Sequence, residues 1–292
     1  MLPEIIQHKI IQNLTSNPNN EVRFFASQPL AGGDINSAAR METSLGNFFV
    51  KWNRADAFPE MFQKEAKGLN ILQSASQLRI PYVKFTDTAG DYSFLVLEYL
   101  EQAPPETNFW ENFANGLAKL HKTSADYFGL DHDNYIGSLP QSNHKKDKWI
   151  DFFIEERLAI QLKRARNSHL IDSGVLSASE RLFKRLNEFI PEEPSALIHG
   201  DLWGGNFMIG NKGEACLIDP AVYFGHREMD IAMTKLFGGF NHSFYEAYNQ
   251  EYPLEKGWGN RMDICNLYPL LVHVNLFGVS YVSQVASILK KF

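Results

Sequence analysis

The chain changes character once, and that change limits what it can fold into. Up to Tyr99 the apolar residues fall mostly in strand-length pieces separated by turn residues; beyond Gln102-Ala103-Pro104-Pro105 they recur at helical spacing. In the first part, a helical rhythm over Leu2 to Ser16 precedes strand candidates at Val22 to Phe25, Ile35 to Met41 and Asn47 to Lys51. Pro59 then opens a helix from about Glu60 to Ser74, proline being favoured at a first helical position. Two more strands, Tyr82 to Thr86 and Tyr92 to Tyr99, flank the Gly90-Asp91 turn. The second part predicts helices over Asn108 to His121, Lys148 to Asn167, Ala178 to Phe189, Glu228 to Phe237 and Trp258 to Leu289. The expected class is α+β: a small antiparallel-sheet lobe over 1–100, a larger, mainly helical lobe over 101–292, and a cleft between them.

Composition narrows the partners. With 44% hydrophobic and 21% charged residues among 292, the chain can bury a sizeable core. Its net charge of −6, with no long basic run, argues against nucleic acid as a partner. His144-Lys145-Lys146-Asp147-Lys148 is short and interrupted, and reads as a solvated face. The most apolar stretch, Leu267 to Val282, contains Pro269, His273 and Asn275, so a core helix is expected there and no membrane span. The two cysteines, Cys216 and Cys265, do not make a disulfide framework. Glu4 sits within the first apolar patch, which does not read as a signal peptide; buried thiols and a cytoplasmic location are the expectation. Oligomeric state leaves no trace in the sequence.

The chemistry concentrates in Ile198-His199-Gly200-Asp201-Leu202-Trp203-Gly204-Gly205-Asn206 and, downstream, Asp219 of Leu217-Ile218-Asp219-Pro220. The segment reads as two short strands and the loop between them. His-x-Asp-x4-Asn is the spacing of a kinase catalytic loop, with Gly200 where protein kinases carry Arg. Asp201 is the candidate to accept or orient the proton of an attacking hydroxyl. Asn206 and Asp219 offer the hard oxygen ligands that magnesium prefers. Phosphoryl transfer needs this set, because its catalysis is mostly positioning and charge neutralisation. His199 is expected to brace the loop, and Glu228 and Asp230 to anchor the loops from a helix N-terminus.

Upstream residues complete a nucleotide site. Lys51 ends the strand Phe48-Phe49-Val50-Lys51 and is placed to neutralise ATP phosphates. Glu65 flanks the apolar stripe Met61, Phe62, Ala66, Leu69, Leu72 and is placed to pair with Lys51. Gly32 and Gly33 let backbone amides approach phosphate; no Gly-Lys-Ser/Thr follows, so this is not a Walker A loop. The run Leu95 to Leu100, between the lobes, offers backbone groups around Glu98 and Leu100 to an adenine edge. Trp203, two residues past the candidate base, presents a flat indole that can pack on a sugar face or on the lobe core.

These parts together resemble the fructosamine kinase (ketosamine-3-kinase) family, a branch of the protein-kinase-like, aminoglycoside-phosphotransferase-like small-molecule kinases. The resemblance spans nearly the whole chain. It rests on Ala31-Gly32-Gly33-Asp34-Ile35-Asn36, Phe49-Val50-Lys51, Tyr135-Ile136-Gly137-Ser138-Leu139-Pro140-Gln141-Ser142-Asn143, Trp149-Ile150-Asp151-Phe152-Phe153 with Arg157-Leu158, His199 to Asn206, and Glu228 to Thr234. It implies a bilobal protein-kinase-like fold that uses ATP and Mg2+. The implied reaction is phosphorylation of a sugar hydroxyl, expected at O3, of a ketosamine such as a ribulosamine or fructosamine, after which the adduct releases its amine: deglycation. Many relatives carry Cys where this chain has Asp34. Two other readings stay open at this level: a related kinase for an aminoglycoside or amino-alcohol, and a nucleotide-binding module without turnover. A metal hydrolase built on His199 and Asp201 fails, because no second His stands at ligand spacing.

Overall fold

A computed structural model describes residues 1–15, 21–30 and 36–292 of the chain. Helix α1 (Glu4–Leu14) precedes strands β1 (Phe24–Leu30), β2 (Ser37–Thr43) and β3 (Gly46–Arg54), helix α2 (Met61–Ala75), and strands β4 (Val83–Ala89) and β5 (Tyr92–Glu98). The strands form one antiparallel sheet in the order β1-β2-β3-β5-β4. Period-two alternation assigns its two faces. Met41, Val50, Trp52, Phe94 and Val96 pack with Leu2, Ile6 and Ile10 beneath α1. Leu95 and Leu97 face the other way and join Phe62, Ala66, Leu69 and Leu72 of α2. Lys51 alternates with Val50 and Trp52, so the register turns it to the α2 side, paired across the strands with Leu95.

The remainder is mainly helical, as the periodicity predicts. Helix α3 (Phe109–His121) packs through Phe113 against Phe244, their ring centroids 5.4 Å apart. The predicted run to Asn167 is helical throughout, but Phe153–Leu158 takes π-helical form between Trp149–Phe152 and Ala159–Asn167. The helix expected from Ala178 starts earlier, at Ser173, because the Asp172 side chain caps it by accepting from the Val175 amide. The long final segment breaks at Gly278, whose φ of 89° is a left-handed conformation glycine tolerates, leaving Trp258–Phe277 and Val282–Leu289. A helix at His242–Glu251 and a hairpin of Asn134–Ile136 with Leu139–Gln141 are additional to the predicted elements. One apolar core runs from α2 and β5 through α3 into Trp258–Phe277, so the sheet half and the helical half share a core. Among the described residues, no helix is long and apolar enough to cross a membrane. Cys216 and Cys265 are free and buried.

Candidate active site

The strands flanking the catalytic loop do not pair with each other. Ala196–Ile198 pairs with Tyr223–Gly225, and Phe207–Ile209 with Ala215–Leu217. The loop hangs between two small sheets and needs other anchors. Asp230, in the first turn of the helix Glu228–Leu236, supplies one: its carboxylate accepts from the amides of His199 at 2.7 Å and Gly200 at 2.9 Å. Burial works against that charge, but His121, 3.1 Å away, together with His199 and the Gly200 amide, holds the Asp230 carboxyl below the usual carboxylate range. His121 is itself held by the Tyr248 hydroxyl at 2.7 Å. The expectation that Asp230 anchors the loop is met in this geometry. Glu228 instead forms a buried ion pair with Arg261, and so ties its helix to Trp258–Phe277.

His199 is fully buried. Its Nε2 donates to the Ile218 carbonyl at 2.9 Å and its Nδ1 accepts from the Asp201 amide at 3.3 Å. Burial lowers its pKa and keeps the ring neutral, consistent with a bracing role. Gly200 has φ 83°, and a Cβ there would lie 2.1 Å from the Ala221 carbonyl oxygen. That close approach explains glycine where protein kinases carry arginine.

Asp201 is half-buried beside Asn206, whose Nδ2 donates to the Asp201 carbonyl at 2.8 Å and to its Oδ2 at 2.9 Å. Desolvation pushes the Asp201 carboxyl up to about 7; the Asn206 bond opposes this, and the charges of Asp219 and Asp230 add to it. With Nδ2 so engaged, Asn206 keeps Oδ1 for another partner. Its own carbonyl accepts from the Ile218 amide at 3.1 Å, tying it to the strand that delivers Asp219. Phe207, next in sequence, is wedged 5.2 Å from both Phe113 and Phe240. Asp219 has φ 53°, uncommon outside glycine, and its carboxylate is half-exposed.

Lys51 reaches Asp219 Oδ1 at 2.5 Å and Glu65 Oε1 at 3.0 Å. Burial disfavours its charge, but the two carboxylates overcome this and raise its pKa above the ordinary lysine value. Burial raises the Glu65 pKa, an effect the Lys51 charge opposes. Glu98 spends its side chain on Arg79 at 2.6 Å and the Tyr82 amide at 2.7 Å, and its own amide donates to the Tyr82 carbonyl at 3.0 Å. Among the described residues the Leu100 amide has no hydrogen-bond partner. Gly32 and Gly33 lie outside the described residues. Trp203 stands clear of the core, 38% exposed, its indole edge-on to Phe237 at 5.9 Å. Phe237 in turn lies 4.9 Å from His273. His121 and Tyr248 escaped sequence reasoning: His121 is one polar side chain on the buried stripe of α3, and the helix of Tyr248 buries too few residues to show a stripe.

A five-stranded sheet whose Lys51 pairs with Glu65 of α2, followed by a mainly helical half that carries Asp201, Asn206 and Asp219, defines the protein-kinase-like phosphotransferase class. The comparisons take this further: the fructosamine kinase family model matches residues 6–292, and the chain belongs to that family. A probable ketoamine kinase of Synechocystis is 36% identical over 97% of this chain and 95% of its own length. The chloroplastic protein-ribulosamine 3-kinase of Arabidopsis thaliana is 37% identical, over 90% of this chain and 81% of its own. A crystal structure from Thermobifida fusca, of a chain assigned as a fructosamine-3-kinase, superposes with a TM-score of 0.86 at 34% identity, covering 96% of this chain and 97% of that one. The aminoglycoside phosphotransferase APH(4)-Ia, solved with AMP-PNP and hygromycin B, shares the fold at 15% identity and a TM-score of 0.65, over 97% and 98% of the two chains.

Proposed function

We propose that this chain transfers the γ-phosphoryl group of ATP to O3 of the sugar of a ketosamine, such as a ribulosamine or fructosamine, and that loss of the amine from the product completes deglycation. The observation that carries the reading is the convergence of Asp201, Asn206 and Asp219 across from Lys51, in a chain whose relatives are named for ketoamine and ribulosamine phosphorylation. Asp201 accepts the proton as the O3–H bond gives way to the O3–P bond, and ADP departs with the electrons of the broken P–O bond. A carboxyl poised at about 7 suits a base working near neutrality. Lys51, held by Glu65, neutralises phosphate charge, as the positioning logic of phosphoryl transfer requires. The Gly32-Gly33 pair in the sequence suits close approach of backbone to phosphate, and the backbone of Glu98 and Leu100 meets the adenine edge. Trp203 offers its exposed indole to the acceptor sugar.

The residues present fit magnesium. Asn206 Oδ1 is unengaged among the described residues and the Asp219 carboxylate is 45% exposed, a hard-oxygen pair that suits an ion bound by one or two protein oxygens and completed by phosphates. Asn206 Oδ1 and the Asp219 carboxylate would hold it, and it would neutralise charge on the transferring phosphoryl group. We divide the chain into a nucleotide lobe, 1–100, and an acceptor lobe, 101–292. Two buried free thiols suit a reducing compartment such as the cytoplasm. ADP release over a panel of ribulosamines, fructosamines, aminoglycosides and amino-alcohols tests the acceptor. Turnover confined to ketosamines is expected; turnover of an aminoglycoside or amino-alcohol alone would overturn the assignment.

A further inference from the structure

The block Tyr135 to Asn143 has no part in the chemistry above, yet its Gln141 and Asn143, with the neighbouring Asn134 and the Arg157 packed on it, are buried polar side chains. Asn134 is 6% exposed, Gln141 2%, Asn143 1% and Arg157 0%. Buried amides are costly unless their bonds are made, and a bond left unmade costs more than a made bond gains. Here the bonds run in one direction. Arg157 donates to the Ser142 carbonyl and, at 2.7 Å, to Asn143 Oδ1, and its guanidinium lies 4.0 Å above the Tyr223 ring. Among the described residues it has no ion-pair partner. Asn143 Nδ2 donates to Asn134 Oδ1 at 3.0 Å, and Gln141 Nε2 donates to the same oxygen at 2.7 Å. Asn134 can therefore present only its Nδ2 outward, and it donates to the Val222 carbonyl at 2.9 Å. The Tyr268 hydroxyl donates to Gln141 Oε1 at 2.6 Å, which leaves the Gln141 Nε2 to reach the Ala221 carbonyl at 3.2 Å.

Ala221 and Val222 are the residues immediately after Asp219-Pro220. The Ala221 amide donates to the His199 carbonyl at 2.9 Å, and its carbonyl oxygen abuts Gly200. A single peptide segment is thus held by the catalytic loop on one side and by the hairpin amides on the other, with the left-handed Asp219 at its start. We propose that Asn134, Gln141, Asn143, Arg157 and Tyr268 form a positioning network that sets the Asp219 carboxylate for its metal by gripping the Ala221 and Val222 carbonyls. An apolar cluster of the same volume would fill the space; it would not fix the rotation of that backbone. The inference rests on reading Asp219 as a metal ligand.

Gln141→Met removes the donor while keeping side-chain length, and Tyr268→Phe removes only the hydroxyl that orients Gln141. Mn2+ binding in the presence of AMP-PNP, followed by electron paramagnetic resonance, reads the metal site without turnover. Partners behind metal ligands are typically worth about 10–100-fold in metal affinity, so Gln141→Met is expected to weaken Mn2+ binding about tenfold and Tyr268→Phe by less. Metal-free nucleotide affinity and the ketosamine KM should stay at the wild-type level. Unchanged Mn2+ affinity in both folded variants overturns the proposal; if Gln141→Met does not fold, Tyr268→Phe alone decides. Weakened Mn2+ binding supports the network whether or not any ketosamine is turned over, so its failure and that of the acceptor assignment are read separately.

Discussion

Lys51 and Asp219 lie 168 residues apart in sequence, yet the Lys51 ammonium sits 2.5 Å from the Asp219 carboxylate while holding Glu65 at 3.0 Å. One cation therefore joins the sheet, helix α2 and the turn after the catalytic loop. Removing it should harm both stability and chemistry, and the two are separable. Breaking a buried pair by deleting one partner costs about 3–5 kcal/mol, because the other charge is left buried. Lys51→Met should lower the unfolding free energy by an amount toward the low end of that range, since the Asp219 side chain is 45% exposed. Adding Glu65→Leu should restore much of the stability while phosphoryl transfer stays lost. Denaturant unfolding and ADP release on the single and double variants check this.

Asp201 predicts two pH dependences of opposite sign. Its carboxyl, raised to about 7, is protonated and useless as a base below that pH, so kcat/KM should rise with pH through about 7. An ordinary aspartate would place that limb near pH 4. For stability, a carboxyl whose folded pKa is raised penalises the fold once the unfolded chain has ionised. The penalty begins above the ordinary aspartate range and is complete above about 7. Asp201→Asn should therefore melt with wild type near pH 4 and several degrees above it at pH 8, at about 2–4 °C per kcal/mol for a chain of this size. Melting curves at the two pH values, with a pH profile of kcat/KM, check both signs.

Substitution of Trp203 tests its proposed place in the acceptor site separately from nucleotide binding. Its indole is exposed and rests edge-on against Phe237, away from the core. Trp203→Ala should raise the ketosamine KM about tenfold, in line with the loss of one stacked contact worth about 1–1.5 kcal/mol. The KM for ATP and the melting temperature should hold. An unchanged ketosamine KM would remove Trp203 from the acceptor site.

Where the sequence was legible, local physics and local spacing agreed. Lys51 stood out as one charge on an apolar strand, and the register turns it toward α2. Glu65 stood out because it flanks the stripe that α2 buries. Asp201, Asn206 and Asp219 are marked by spacing, and short-range hydrogen bonds gather them. Other features lacked such a signal. Strand β1 runs on to Leu30 although its side chains are mostly exposed, so no alternation marks its extent. The helix His242–Glu251 buries only Phe244, Ala247 and Tyr248, too sparse a stripe to read. The His121–Tyr248 contact spans 127 residues, and the grip of Gln141 on Ala221 spans 80. Nothing in composition or periodicity reports a pairing at that range. The glycine pair Gly32-Gly33 lies outside the described residues.

The most direct test is phosphorus NMR of a mixture of ATP, Mg2+ and a synthetic N-substituted ribulosamine with wild type and with Asp201→Asn. The wild type should produce ADP and a phosphomonoester on the sugar O3, and Asp201→Asn should produce neither while still binding nucleotide. A phosphomonoester formed at the wild-type rate by Asp201→Asn, or ADP formed by wild type with no phosphate on the sugar, would contradict the account.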